Sequence, residues 1–98
     1  MTHSASPLEV AESEVGDRVE EPSEDALFMM LQELEHPANT FLTVQPDQAD
    51  PSWYAVASLL EDGRFEVERR DVRRRRHHLT VETDPSQIAR MLVLWPAE

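Results

Sequence analysis

The chain has no cysteine, no lysine and only two glycines among 98 residues. Without cysteine there is no disulfide, no thiol nucleophile and no Cys-based zinc site, and a reducing, cytoplasmic setting is expected. With only Gly16 and Gly63, no glycine-rich phosphate loop of the Walker or Rossmann kind can be built. No apolar run approaches the ~20 residues of a membrane span. The first residues, Met1-Thr2-His3-Ser4, lack the basic and apolar regions of a signal peptide. No membrane association is expected, and the length allows one domain. Chains this short often gain stability by oligomerising.

What is present is charge, unevenly spread. Formal net charge is −11, and every basic residue is arginine. Residues 1–25 hold eight acids against Arg18 alone, a net of −7. Their apolar residues are few (Leu8, Val10, Val15, Val19). High charge with little to bury cannot offset the entropy of ordering, so residues 1–22 read as a disordered acidic tail. The basic counterpart is Arg64 to His78, with seven arginines and three acids, a net of +4. Within a Debye length of ~8 Å, tail and patch would attract each other. The tail is then either a solubilising segment or an arm that competes for the arginines.

Residues 23–96 read as one α+β domain: helix, a three- or four-stranded antiparallel sheet, helix. Ser23 is a candidate N-cap, with Glu24 and Asp25 in the first turn, where the helix dipole favours anions. Leu27, Met30, Leu31 and Leu34 fall at helical spacing, and Pro37 ends the helix near Glu35. Phe41–Gln45, Trp53–Leu60 and His78–Glu82 read as strands, the last with Leu79 and Val81 inward. Asp62-Gly63 between apolar runs signals a hairpin. A two-residue loop there pairs Leu60 with Phe65, Ser58 with Val67 and Val56 with Arg69. Tyr54, Val56, Ser58, Leu60, Phe65 and Val67 then form the core side. Trp53, Ala55, Ala57 and Leu59 fall on the other face, as a candidate dimer surface. Asp84-Pro85-Ser86-Gln87 opens a second helix with a capping box, and Ile88, Met91, Leu92 and Trp95 share one face.

No cofactor or metal site is expected, and no enzymatic activity. His77 and His78 are adjacent, so on a strand they point to opposite faces and cannot grip one metal. His3 lies in the tail and His36 at a helix end. Ser86 has no histidine near it in sequence, and a nucleophile needs a base. The candidate contact residues are Arg69, Arg70, Arg73, Arg74, Arg75, Arg76 and His77. Phosphate binding is one reading of that run. Against it stand the acidic balance, the lack of interleaved aromatics and the lack of a groove-reading element. A protein partner is favoured over nucleic acid. A small immunity or antitoxin protein, acting by electrostatic complementarity, is a further alternative.

Glu20-Glu21-Pro22-Ser23-Glu24-Asp25-Ala26-Leu27-Phe28 and the arginine-rich stretch Arg69–Arg76 within a β segment resemble the BldB family of small actinobacterial developmental regulators. The resemblance implies a cytoplasmic homodimer needed for aerial hyphae, sporulation and antibiotic production, acting within transcription regulation. It carries over no catalytic residues.

Overall fold

The computed structural model describes residues 8–97. Its elements are β1 (Glu9–Ser13), β2 (Arg18–Glu20), α1 (Glu24–Gln32), β3 (Phe41–Pro46), β4 (Trp53–Leu59), β5 (Phe65–Asp71), β6 (Arg76–Glu82) and α2 (Pro85–Leu94). A 3-10 turn, Trp95–Ala97, follows α2. The strands form one six-stranded antiparallel sheet in the order β2-β1-β3-β4-β5-β6. The expected three- or four-stranded sheet is therefore corrected to a larger, strand-dominated one.

The two extra strands come from the stretch read as a disordered tail. Ala11, buried completely, belongs to the core, and Val19 packs against it. The charge of this stretch hides the few apolar residues that it buries. Several acids of this stretch occupy places that cost little, Glu14 at the β1–β2 loop and Glu12 and Glu20 exposed on their strands, whereas burial and the neighbouring Glu21 charge raise the Glu9 carboxyl above its usual pKa. Glu14 also ties the hairpin to β3, because one carboxylate oxygen accepts both the N–H and the hydroxyl of Thr40 at 2.8 Å. Those two bonds hold the Glu14 carboxyl below its usual pKa. Arg18 reaches Asp47 at 3.0 Å. The tail reading for residues 1–7, including His3, lies outside the described residues.

Both helices cover the same face of the sheet. The core joins Ala11, Leu42, Val44, Ala55, Ala57, Phe65 and Val67 from the strands to Leu27, Met30, Leu31, Leu34, Ile88, Ala89, Leu92 and Trp95. The helix boundaries follow from the caps. Ser23 Oγ accepts the Ala26 N–H at 3.1 Å, and Asp84 Oδ1 accepts the Ser86 N–H at 2.9 Å. α1 stops at Gln32, earlier than Pro37 alone would require, and Leu34 completes its apolar face from beyond the cap.

The β4–β5 register differs from expectation by one residue. The observed partners are Leu59 with Phe65, Ala57 with Val67 and Ala55 with Arg69. The Leu60 N–H donates to Arg64 O at 2.8 Å, which encloses the three residues Glu61, Asp62 and Gly63. A two-residue type I′ turn needs positive φ at both Asp62 and Gly63. Here only Gly63 has it, at +89°. The third loop residue moves every β4 side chain to the opposite face. Gly16, at φ +94°, does the same in the β1–β2 loop, where the Ser13 N–H donates to Asp17 O. Each glycine of the chain thus closes one hairpin of the same design.

The register shift corrects the candidate dimer surface. Ala55 and Ala57 have no exposure and lie under the helices, and Trp53 and Leu59 pack against the same core. Tyr54, Val56, Ser58 and Leu60 are on the other side and only half-buried. Leu79 and Val81, expected inward, are 59% and 48% exposed.

Candidate interaction surfaces

The arginine run is divided by the strands that carry it. Val72 to Arg75 form the β5–β6 turn, with Arg75 in the left-handed region at φ +54°. Asp71 holds this turn: Oδ1 accepts the Arg74 N–H at 3.1 Å, and Oδ2 lies 3.6 Å from Arg74 Nε. Arg73, Arg74 and Arg75 are exposed. Arg69 and Arg76 sit on the helix side, their guanidinium carbons 5.6 and 5.2 Å from the Trp95 ring centroid. His78 meets the same ring edge-on, with centroids 5.8 Å apart. Trp95 is buried, so Arg69 and Arg76 contribute packing and cation–π attraction to the fold.

Arg70 and His77 are partners across β5 and β6 and share the other face. His77 Nε2 lies 2.7 Å from Glu68 Oε2. The two adjacent histidines thus do point to opposite faces, His77 to the carboxylate and His78 to the indole. Of the seven expected contact residues, the fold gathers Arg73, Arg74 and Arg75 on one exposed turn, with Arg70 and His77 beside it. Arg69 and Arg76 are diverted to Trp95.

A second surface was hidden by the register. The sheet face away from the helices has rows Phe41–Ser58–Glu66–Val81 and Thr43–Val56–Glu68–Leu79. Among the described residues no helix packs on this face. Its apolar members are Phe41, Tyr54, Val56, Leu79 and Val81, with Glu66, Glu68 and Arg70 running between them on β5. Val10, on this side, is buried but stands outside the main core cluster. A solvated antiparallel face is ordinarily polar throughout. Alternation was the available signal for this surface, but it can be assigned to a face only once the loop length is known.

Acidic and basic regions lie at opposite edges. β1 and β6 are four strand spacings apart in the sheet order, about 19 Å at ~4.8 Å per strand. That exceeds the ~8 Å Debye length at physiological salt. Glu9 of β1 nonetheless lines one cleft with Arg73 and Arg74 of the β5–β6 turn. No helix among the described residues is long and apolar enough to cross a membrane. Comparison with protein-family models, with curated proteins and with solved structures returned no match.

Proposed function

We propose that this chain is a non-enzymatic regulator that works through protein contacts as a homodimer in the cytoplasm. The observation that carries this reading is the uncovered sheet face with Phe41, Tyr54, Val56, Leu79 and Val81. Apolar side chains in one exposed layer, interrupted by charges of both signs, suit a protein partner better than a solvent boundary. The missing cysteines agree with a reducing compartment. The BldB-like character of residues 20–28 and 69–76 extends the proposal to developmental gene control.

The test is capture of partners from host extract with wild type and with Val56→Glu. Val56 is half-buried on the open face, so the variant changes the surface more than the core. The reading predicts a discrete polypeptide retained by wild type and lost with the variant. Retention unaffected by Val56→Glu would contradict it.

A second reading rests on the three exposed arginines of the β5–β6 turn. They would contact phosphates, with affinity falling steeply as salt rises. Arg73→Ala with Arg75→Ala should then weaken retention of DNA or RNA at low salt and flatten the salt slope. Absence of retention by wild type at low salt removes this reading.

A further inference from the structure

β6 ends the sheet, and it ends it differently from β2. Edge strands expose backbone donors and acceptors, and proteins that stay monomeric shorten, bend or charge them. β2 is three residues long. β6 is seven residues long, contains no proline, and pairs on one side only among the described residues.

The backbone pattern shows which groups face outward. Leu60 N–H donates to Arg64 O, and Val72 N–H donates to Ser52 O. Even-numbered residues of β5 therefore bond to β4, and its odd-numbered residues bond to β6. With Arg69 opposite His78 and Val67 opposite Thr80, the even-numbered residues of β6 bond inward. His77, Leu79 and Val81 direct their N–H and C=O groups to the free edge.

Apolar side chains border that edge on the open face, where Leu79 and Val81 are 59% and 48% exposed.

We propose that two copies of this chain join edge to edge through β6, antiparallel, with the twofold axis at Leu79. This deepens the dimer reading above and rests on it. An isologous contact must match a strand to its own reverse. Centred on Leu79, the whole of Arg76–Glu82 pairs with itself. Leu79 meets Leu79 of the second copy, and His77 meets Val81, so the three outward-facing residues bond one another. Arg76 meets Glu82, placing opposite charges at both ends of the contact and on the helix side. Arg76 has other contacts, and its guanidinium has donors enough to add this one. Sliding the axis by one residue shortens the paired length and loses the Arg76–Glu82 match. The six strands of each copy become one continuous sheet, and the two open faces merge into one.

The experiment is sedimentation velocity of the full chain over a concentration series, with three variants. Leu79→Pro removes an N–H that points outward, so the chain's own ladder keeps its bonds. The wild type should sediment at twice the chain mass and Leu79→Pro at one. Arg76→Glu and Glu82→Arg should each sediment as monomers, and their equimolar mixture should regain the dimer mass. Circular dichroism matching wild type is required of each variant. If Arg76→Glu does not fold, Glu82→Arg and Leu79→Pro carry the test alone. A wild type that is monomeric throughout overturns both the dimer reading and this joint. A wild-type dimer left intact by Leu79→Pro and Glu82→Arg overturns the β6 joint alone.

Discussion

The hairpin β1–β2 and the hairpin β5–β6 stand at opposite ends of one sheet, and they manage an exposed edge in opposite ways. The first is acidic, with six acids to one arginine over residues 9–21. Its outer strand has three residues. The second is net basic, and its outer strand runs for seven. The first is tied inward, through Glu14 to Thr40 and Arg18 to Asp47. The second presents Leu79 and Val81 outward. Acids collect at the short edge that is tied inward, and the exposed Leu79 and Val81 lie on the long one.

Removal of the acidic hairpin should have the largest effect. Deleting residues 1–21 removes Ala11 from the core and the partner of β3 along Glu9–Ser13. A domain of this size is stable by roughly 5–15 kcal/mol in total. The expected outcome is loss of a cooperative urea transition. A disordered tail would leave the transition where it was.

The shared loop design predicts equal injury at both ends. Gly16 and Gly63 have φ +94° and +89°, and a Cβ at either would meet nothing within 4 Å. The cost of alanine is therefore backbone strain alone, about 1–2 kcal/mol at each site. Urea midpoints of Gly16→Ala and Gly63→Ala check this. A large difference between them would show that the two loops are not equivalent.

A smaller effect separates the ends by pH. The folded pKa of Glu14 is depressed by the Thr40 N–H and hydroxyl. Its contribution is therefore complete above the ordinary carboxylate range and is lost as pH falls through the depressed value. Glu14→Gln should be less stable than wild type at neutral pH, and the gap should close on acidification. Thermal melts across that range read the difference.

The smallest effect belongs to the basic hairpin. Thr80 Oγ1 is buried without a hydrogen-bond partner, as are Arg69 Nε and Trp95 Nε1 nearby in the fold. Thr80→Val removes a desolvated hydroxyl at nearly constant shape. It should raise stability by up to ~1 kcal/mol, the lower end of the penalty for an unsatisfied group. A loss would mean that the hydroxyl has a partner in solution.

Much of the fold was legible, and the limits were physical. Both helices could be read because Ser23 and Asp84 are strong caps and the apolar spacing behind each is regular. β1 and β2 were not, because their inward residues are small (Ala11, Ser13, Val19) and give little hydrophobic signal against six acids. The hairpin at Gly63 could be located but not registered. Asp-Gly serves both a two-residue turn and a three-residue loop, and only the φ of Asp62 separates them. That one residue decides which side of β4 is core and hence the place of Ala55 and Ala57, while the alternation of residues 78–82 points Leu79 and Val81 inward only if the apolar set faces the helices. The arginine run was visible as a run. Its division between Trp95 and solvent was not, since that requires the strand parity of Arg69 and Arg76.

If the free edge of β6 joins a second copy, amide hydrogen exchange at single-residue resolution detects it. In the monomer the amides of Arg76, His78, Thr80 and Glu82 are bonded to β5, whereas those of His77, Leu79 and Val81 face out. Raising the protein concentration should slow exchange at His77, Leu79 and Val81 and leave the other four protected throughout. Exchange at those three amides that stays fast at every concentration would contradict the account.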